Sequence, residues 1–503
     1  MTTIYDLAVI GGGVNGCGIA RDAAGRGLKV HLSEMNDLAS GTSSWSTKLI
    51  HGGLRYLEYY EFRLVHESLT ERETVWRMAP HIVEPLRFVL PHHRGLRPAW
   101  LLRLGLFLYD HMGGRKLLPA TRTLDLGRDI AGAPLKRGMF RRGFEYSDAR
   151  VDDARLVVLT ARDAANRGAT IATRTRVVAA ERGADHWRIG LETAEGMRSE
   201  IAARVLVNAA GPWVADVVGE VLASKTPARV RLVKGSHIVV KRLFDHDRAY
   251  IFQNADGRVI FAIPYQGDFT LIGTTDVDYH DEPGAARCSE EETVYLIAAA
   301  SEYFARPIGR DDVVWAFSGV RPLYDDGASD AKSATRDYVL DLDAGAGKAP
   351  VLSIYGGKLT TYRRLAEAVM KKLAPVLPKA EGLAAGWTAT APLPGGDFPH
   401  DGREALAAEI ARVHPWLDAA VVRRLVAAYG TRTRALLAGA TGPTDLGRDF
   451  GAGLSEREVR FLMREEWART AEDVVWRRSK LGLGMSVAEI AALDTFMAEV
   501  RAA

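Results

Sequence analysis

This chain has few cysteines, a small net charge and no long apolar run. With two cysteines in 503 residues there is no disulfide framework, so we expect a reducing compartment. The 66 basic and 63 acidic residues leave a net charge of only +3, which gives no reason to expect a nucleic acid partner. No stretch reaches the roughly 18 consecutive apolar residues of a membrane-spanning helix. We therefore expect a protein that is soluble or attached to a membrane surface.

Targeting and repeat signals are missing as well. No basic segment with a cleavage site precedes the apolar residues 4–10, so no secretory signal is expected. The sequence also contains no internal repeat and no low-complexity segment. The composition, 47% apolar and 26% charged, is that of an ordinary globular protein. The chain is long enough for about three domains, or for two large ones.

The chain begins with the pattern of a dinucleotide-binding βαβ unit. An apolar strand over 4–10 leads into the turn GGGVNG (11–16), a helix over 14–26 and a second strand over 28–33. In such a fingerprint the three spaced glycines allow a tight turn, the approach of a pyrophosphate and close helix packing. The phosphate is expected at the helix N-terminus, where free N–H groups and the dipole favour negative charge.

Glu34 supports a dinucleotide site, and the position of the fingerprint at the N-terminus together with three later segments favours FAD over NAD as the dinucleotide. Glu34 stands 18 positions after Gly16, where its carboxylate can accept hydrogen bonds from a ribose hydroxyl. The Ser/Thr/Gly-rich loop 40–47 is suited to wrap a pyrophosphate and a ribitol chain. The segment NAAGPW (208–213) resembles the second flavin-domain strand end, and GGKLTT (356–361) resembles a late helix start facing the flavin. That helix start would stabilise negative charge on the reduced ring.

The rest of the chain alternates between helical and strand patterns. A helix over 152–168 and strands at 205–213 and 351–355 are predicted to belong to the nucleotide domain, whereas 249–263 reads as a hairpin. The predicted fold is therefore α/β, with a Rossmann-like FAD-binding domain split by an antiparallel-sheet substrate domain and followed by a helical C-terminal domain. The predicted limits are 1–80, 151–222 and 348–385 for the FAD-binding domain, 81–150 for a membrane-associating or substrate-domain segment, 223–347 for the sheet domain and 386–503 for the helical domain.

The segment KLIHGGLRY (48–56) follows closely on the nucleotide fingerprint, where the reactive ring of a flavin should lie. It combines the imidazole of His51, the guanidinium of Arg55, the phenol of Tyr56 and two glycines. An imidazole titrates near neutrality and a guanidinium is always charged. The segment therefore indicates a substrate that gives up a proton and carries an anionic group.

Seven motifs together resemble the FAD-dependent glycerol-3-phosphate dehydrogenases, respiratory enzymes of the D-amino-acid-oxidase-like flavoprotein superfamily. The motifs are GGGVNG (11–16), STKLIHGGLRYL (46–57), RGFEYSD (142–148), KGSHIVV (234–240), GTTD (273–276), SGVRPL (318–323) and GGKLTTY (356–362). The resemblance implies oxidation of sn-glycerol 3-phosphate to dihydroxyacetone phosphate, hydride transfer to FAD, and electron delivery to a membrane quinone.

The resemblance also implies site residues. Catalytic roles fall to His51, Arg55, Arg321 and Lys358; substrate binding falls to Arg55, Tyr56, His237, Thr275, Asp276, Arg321 and Lys358. The implied FAD-binding residues are Gly11, Gly13, Asn15, Gly16, Glu34, Thr42, Ser43, Ser44, Ser46, Lys48, Leu49, His51, Val177, Ala210, Gly211, Trp213, Gly357, Lys358, Leu359 and Thr360. No metal site is assigned. The resemblance implies that Arg321 grips the substrate phosphate with Arg55, Lys358 and Tyr56 nearby, and that His51 lies beside the reacting hydroxyl. The residue types suit these roles, because arginine offers a planar fork to phosphate oxygens and lysine a compact charge.

Several alternatives stay open at this stage. His51 or His237 could take the hydroxyl proton, since both stand in glycine-flanked segments. Arg321 could instead pair with Asp325 or Asp326, and Lys358 could be a solvated helix-start residue. Two rival functions are an amino-acid oxidase of the same superfamily and a flavin-binding sensor or scaffold without turnover.

The apolar residues 98–109 are a candidate for membrane attachment. The segment mixes Trp, Tyr and Leu and is surrounded by cations, which suits a helix lying in a bilayer interface as well as a buried core helix. The surrounding cations are Arg94, Arg97, Arg103, Arg115 and Lys116, and a second basic cluster contains Lys136, Arg137, Arg141 and Arg142. The resemblance implies peripheral attachment to anionic lipid on the cytoplasmic face of the inner membrane.

Two departures refine what the resemblance implies. The chain has no EF-hand loop, so the calcium control of mitochondrial members is not expected. Arg321 and Lys358 stand only 37 positions apart, whereas oxygen-using relatives carry an insertion there, which favours a quinone as acceptor. The oligomeric state is left open, a homodimer included.

Overall fold

The structure, a computed structural model, describes residues 4–114, 117–223, 230–254, 256–325, 337–379 and 381–502, without the side chains of 58 and 59. The strands are β1 (Ile4–Ile10), β2 (Val30–Ser33), β3 (Leu49–Ile50), β4 (Val83–His92), β5 (Arg122–Asp125), β6 (Arg142–Val151), β7 (Thr170–Ala172), β8 (Thr175–Arg182), β9 (Trp187–Thr193), β10 (Arg198–Asn208), β11 (Val230–Lys241), β12 (Ala249–Gln253), β13 (Val259–Tyr265), β14 (Phe269–Gly273), β15 (Val277–Asp278), β16 (Val313–Tyr324), β17 (Val339–Asp343) and β18 (Val351–Tyr355). The α-helices are α1 (Val14–Gly25), α2 (Phe62–Met78), α3 (Ala99–Met112), α4 (Asp153–Asn166), α5 (Val214–Asp216), α6 (Glu290–Ser301), α7 (Tyr362–Leu373), α8 (Arg403–Val413), α9 (Ala419–Tyr429), α10 (Thr433–Leu437), α11 (Glu456–Glu466) and α12 (Val487–Ala502).

The first sheet carries the nucleotide fingerprint. Its strand order is β17-β18-β10-β1-β2-β7, with β9 beside β10 and β8 beside β9. The central pairs β1/β2, β1/β10, β2/β7 and β10/β18 are parallel. Such strands are covered on both faces, so β2 (VHLS) is fully buried. Helices α1, α4 and α7 contribute to the core over this sheet.

The second sheet is mainly antiparallel. Its order is β15-β11-β14-β13-β12-β4-β6-β3, with β16 beside β11 and β5 beside β6. The predicted hairpin over 249–263 is present as β12 and β13, with Tyr250 opposite Ala262. Its aromatic core includes Tyr250 and Phe252, which stack 5.5 Å apart.

The C-terminal part is helical and has a hydrophobic core of its own, formed by α8 to α12 and a π-helix at Asp473–Arg478. The predicted fold class is thereby confirmed: an α/β protein with a Rossmann-like nucleotide domain, an antiparallel sheet and a helical C-terminal domain. Small differences concern element ends. The second strand begins at Val30 rather than at Leu28.

Helix α3 contains most of the apolar segment 98–109. Within the described ranges, no helix has both the length and the apolar character that crossing a membrane requires. Trp100, Leu104, Phe107 and Leu108 are nevertheless exposed on this helix. Successive members of this set are four, three and one positions apart, which places their side chains on one face of the helix. The basic residues 115 and 116 that follow lie outside the described residues.

A buried ion pair joins α2 to α7. Two of the three guanidinium nitrogens of Arg363 donate to the Glu71 carboxylate, Nε at 2.8 Å and Nη2 at 2.5 Å, while the third pairs with Glu367. The side chains of Arg363 and Glu71 are 4% and 2% exposed, so the buried Glu71 charge depends on Arg363 for its stabilisation.

Replacing Arg363 with Met should therefore lower the free energy of unfolding by about 3–5 kcal/mol, because Glu71 would stay buried without its cation. The measurement is the melting temperature of the full chain by calorimetry. Arg364→Met is the matched control, since that neighbouring arginine is 50% exposed and its ion pair with Glu367 is therefore expected to contribute little. Equal losses in the two variants would contradict this account.

Candidate active site

The turn between β1 and α1 forms one end of a large cavity. Gly11 has φ +109°, and a Cβ there would lie 2.5 Å from the carbonyl oxygen of Ala209 on the neighbouring strand. A Cβ on Gly16 would lie 2.0 Å from Gly11 O. Both positions are therefore restricted to glycine by close backbone approach. The start of α1 borders the cavity, where Gly13 and Val14 form part of the lining and the Val14 amide donates to the Ser43 hydroxyl at 3.0 Å.

Glu34 lies at the end of β2 beside this turn. Its carboxylate accepts the amide hydrogens of Gly12 at 2.7 Å and Asn36 at 2.8 Å. Burial raises the pKa of Glu34, and the two amide hydrogen bonds oppose that rise. The side chain lines the cavity, so it is in position to accept hydrogen bonds from a ribose hydroxyl.

The cavity has a volume of about 760 Å³ and extends from the first sheet to the second. Most of the predicted site residues line it. They are Gly11, Gly13, Asn15, Glu34, Thr42, Ser43, Ser46, Leu49, His51, Tyr56, Val177, Ala210, Gly211, Trp213, His237, Arg321, Gly357, Lys358, Leu359 and Thr360. One continuous space thus joins the nucleotide fingerprint to the predicted catalytic groups.

Six predicted residues lie outside that lining: Gly16, Ser44, Lys48, Arg55, Thr275 and Asp276. Ser44 and Lys48 support the loop from behind. The Lys48 ammonium is buried and pairs with Asp153 at the start of α4, at 3.0 Å, while Ser44 donates to Ala39 O. Arg55 lies on a short 3-10 helix, Leu54–Tyr59. Their predicted contacts with cofactor or substrate stay predictions.

His51 follows strand β3 and is held by its backbone. Its amide donates to the Thr360 hydroxyl at 3.2 Å, and the next amide, that of Gly52, donates to the Tyr109 hydroxyl at 2.9 Å. Burial lowers the pKa of His51; the Asp148 carboxylate raises it, and the nearby cations lower it again. The imidazole is therefore neutral at neutral pH, the form that can accept a proton.

His237 lies on β11 and lines the same cavity. Its ring stacks on Phe317 with centroids 4.9 Å apart, and its Nε2 is 2.9 Å from the Thr47 hydroxyl. Burial, with the charges of Lys48 and Arg321, holds its pKa well below the usual range. Both candidate bases are thus neutral, but His237 is fixed by a ring stack and a side-chain hydrogen bond.

Arg321 enters the cavity from β16. Its Nη2 lies 2.7 Å from Asp276 and donates to Thr275 O at 3.2 Å. This acidic partner differs from the two acids expected as alternatives, Asp325 and Asp326. Residue 326 lies outside the described residues. Thr275 in turn donates to the buried Glu292 carboxylate at 2.8 Å. Thr275 and Asp276 therefore orient Arg321 from behind, and about a third of its side chain stays exposed.

Lys358 follows a turn in which Gly356 and Gly357 both have positive φ. A Cβ on Gly357 would lie 2.8 Å from the Asn15 amide, so the turn needs glycine there. The Lys358 ammonium lies 4.0 Å from the centre of the Tyr56 ring, a cation–π contact that places the two residues side by side.

A buried polar network beneath His51 was not predicted. Asp148 accepts from Arg72 at 2.7 Å and from the Tyr109 hydroxyl at 2.8 Å, and Tyr109 belongs to α3. Asp148 is the last residue of the motif RGFEYSD (142–148), so the sequence did indicate a functional role at this position. Arg72 and Tyr109 carry no such signal, because they lie on helices whose packing partners are distant in sequence.

Comparison with known proteins agrees with this geometry. Residues 6–363 match the family model for FAD dependent oxidoreductases, and residues 387–502 match the model for the C-terminal domain of alpha-glycerophosphate oxidase. The chain belongs to the FAD-dependent oxidoreductase family. The resemblance drawn from the seven motifs and the choice of FAD over NAD are thereby confirmed.

Relatives within this family match along nearly the whole chain. A glycerol-3-phosphate dehydrogenase of Pseudomonas aeruginosa is 52% identical over 497 residues, 99% of this chain and 96% of the relative. A D-erythritol 1-phosphate dehydrogenase of Brucella abortus is 53% identical over 488 residues, 97% and 96% of the two chains. Among solved structures, the glycerol-3-phosphate dehydrogenase of Bacillus halodurans complexed with FAD has a TM-score of 0.78 at 29% identity, covering 99% and 90%.

The residues present fit FAD. Gly11 and Gly357 line the cavity at positions where neighbouring protein atoms leave no room for a Cβ, so both turns can bring their backbone close to a nucleotide. The buried Oδ1 of Asn15, which lines the cavity, has no hydrogen-bond partner among the described residues and can accept from the cofactor. Glu34 at one end and the turn 356–358 at the other would then hold the ribose and the flavin.

Proposed function

We propose that this protein oxidises sn-glycerol 3-phosphate to dihydroxyacetone phosphate with FAD and delivers the electrons to a membrane quinone. One observation carries the proposal: Arg321, Lys358 and the neutral His51 line the same cavity as the nucleotide fingerprint. A phosphate ester with a neighbouring hydroxyl needs two such cations and one such base. The names of the relatives agree with it.

Arg321 and Lys358 have complementary tasks in this proposal. The guanidinium of Arg321 presents a planar fork to the phosphate oxygens, and the ammonium of Lys358 supplies a compact second charge. Asp276 and Thr275 fix the orientation of Arg321 before the substrate arrives. Such preorganisation reduces the entropy that is lost on binding.

His51 is proposed as the general base. Bound FAD would supply the hydride acceptor; the protein has to remove the hydroxyl proton. Neutral His51 can take that proton, and the Asp148 carboxylate nearby would stabilise the imidazolium that forms. His237 is the less suitable base because its ring is committed to Phe317 and Thr47.

A second candidate substrate is D-erythritol 1-phosphate, because the relative of that name is as similar as the glycerol-3-phosphate enzyme. It presents the same phosphate and hydroxyl groups on a longer chain. An amino-acid oxidase is less well supported, since one carboxylate does not require both Arg321 and Lys358. A flavin sensor without turnover would not need a buried neutral imidazole.

Anaerobic mixing of the FAD-loaded protein with each compound separates these functions. Bleaching of the yellow flavin band by glycerol 3-phosphate, at a higher rate per concentration than by D-erythritol 1-phosphate, supports the proposal. The reverse order assigns the protein to the longer substrate. Bleaching only by an amino acid, or by none of the compounds, would overturn it.

Arg321→Ala should raise the concentration of glycerol 3-phosphate required for half-maximal flavin reduction by about 10- to 100-fold, because a charge-assisted contact with phosphate is lost. Glycerol, which lacks the phosphate, should remain as poor a substrate as before. The control is Arg310→Ala, an exposed arginine paired with Glu290. Equal losses for both compounds would remove Arg321 from the phosphate role.

His51→Ala should slow anaerobic flavin reduction by about 10²–10⁴-fold, the usual contribution of a general base. In the unaltered protein, reduction should fall only at a pH below the ordinary histidine range, because burial lowers the pKa of His51 and the base works in its neutral form. The measurement is stopped-flow absorbance across pH. If His237→Ala is slow and His51→Ala is not, the proton belongs to His237.

Attachment to the membrane is proposed to occur through α3. Its exposed Trp100, Leu104, Phe107 and Leu108 form an apolar face, and the exposed Arg94 and Arg97 precede it. The second basic cluster, over 136–142, contains Phe140, whose ring centre lies 6.2 Å from that of His93, six positions before α3. An apolar face bordered by cations suits the cytoplasmic surface of an anionic inner membrane and access to a quinone.

Leu104→Gln and Phe107→Gln should each weaken binding to anionic lipid vesicles about 10-fold or more, since each large side chain contributes about 1.5–3 kcal/mol when it leaves water. Flavin reduction should not change. Vesicle co-sedimentation gives the measurement. Val487→Gln on α12 is the control, because that residue is 86% exposed and lies in the helical domain. Persistent binding of both α3 variants would point to another surface.

A further inference from the structure

The helical C-terminal domain contacts the nucleotide domain through a buried arginine pair. Arg477 and Arg478 end the π-helix Asp473–Arg478, and both reach the carboxylate of Asp37. Arg477 Nε lies 2.6 Å from Asp37 Oδ2, and Arg478 Nη2 lies 2.8 Å from Oδ1. Arg478 and Asp37 are 0% and 1% exposed at their side chains. The charges of this cluster therefore depend on one another.

Asp37 stands in the middle of the loop that forms one wall of the cavity. Residues 34–36 before it and 40–43 after it line the cavity, whereas Asp37 does not. The Asp37 carboxylate is thus bound on the side away from the cavity, while the residues before and after it in the loop line the nucleotide site. The loop is tied to the glycine turn, because Ala39 donates to Gly12 O and Gly12 donates to Glu34. A shift of Asp37 would move the proposed ribose ligand with it.

The same π-helix also holds the adjacent segment, at the start of β8. Asp473 accepts from Arg174 at 2.6 Å, and Arg174 has a left-handed backbone with φ +51°. The amide of Arg174 donates to Asn36 O at 2.8 Å, and the following amide donates to Glu34 O at 2.8 Å. Residues 175–177 line the cavity. One turn of the C-terminal domain therefore fixes both segments that enclose this end of the cavity.

Domain adhesion alone is a poor explanation for this cluster. Removing two guanidinium groups and two carboxylates from water costs several kcal/mol per ion, and apolar side chains of similar size hold surfaces together at least as well. What a buried, directional ion cluster provides is a fixed relative position of its members. The positions fixed here are those of the loop 34–43 and of Arg174.

We propose that the C-terminal domain completes the FAD site, with Arg477, Arg478 and Asp37 as positioning residues that hold the loop 34–43 in its FAD-binding conformation. None of the three residues lines the cavity, so they act through Glu34 and the loop backbone. The inference depends on FAD as the cofactor of the family and not on the substrate. Failure of the glycerol 3-phosphate proposal would therefore leave it intact.

The test compares FAD retention in variants of the full chain. Asp37→Asn and Arg477→Lys should each raise the dissociation constant for FAD about 10-fold, the effect expected when one charge-assisted bond is lost. The constant is measured from the flavin that passes an ultrafiltration membrane as the loaded protein is diluted. The gain in melting temperature on adding FAD should shrink correspondingly.

A matched control separates positioning from stability. Arg424 pairs with Glu458 through two bonds of 2.7 Å inside the C-terminal domain, away from the cavity. Arg424→Lys should lower the melting temperature comparably but leave the dissociation constant for FAD unchanged. If the Asp37→Asn variant fails to fold, the dissociation constant for FAD of the milder Arg477→Lys variant tests the proposal. An unchanged constant in Arg477→Lys, or an equal rise in Arg424→Lys, would overturn the proposal.

Discussion

Three segments that support the walls of the cavity are each held by a buried carboxylate paired with a cation. Asp153 holds the loop after the fingerprint through Lys48, and Asp148 supports the His51 segment through Arg72. Asp37 holds the loop 34–43 through Arg477 and Arg478. A buried charge that loses its partner costs several kcal/mol, so these pairs have few alternative arrangements. Loops without regular structure thereby obtain the precision that binding needs.

This constraint explains which parts of the site were predictable from the sequence. The glycine turn, Glu34 and the two neighbouring strands depend on local spacing, and the structure has them where the spacing indicated. The partners of the buried carboxylates lie far away along the chain: Arg72 is 76 positions from Asp148, and Arg478 is 441 positions from Asp37. No local pattern encodes such a pairing, since it follows from how helices and sheets pack.

Helix α3 shows the same limit in another form. Its apolar residues were evident in the sequence, but their pattern suited a core helix and a surface helix equally. Packing distinguishes the two, because Leu106, Tyr109 and Asp110 face inward while the opposite face stays exposed. The inward Tyr109 also donates to Asp148, so the helix with the exposed apolar face is in direct contact with the support of His51.

The electrostatics of the site restrict how the substrate can be recognised. The two proposed substrates, glycerol 3-phosphate and D-erythritol 1-phosphate, carry the same phosphate, so in the proposed binding mode Arg321 and Lys358 would bind both equally and would not discriminate between them. Selectivity has to come from the other end of the substrate, where the two differ by one hydroxyl-bearing carbon. Two candidates line the cavity: Tyr56, on the 3-10 helix that follows His51, and the buried Ser68, on α2. A pocket wall that left the extra hydroxyl without a partner would reject the longer substrate, because an unpaired buried hydroxyl costs about 1–3 kcal/mol.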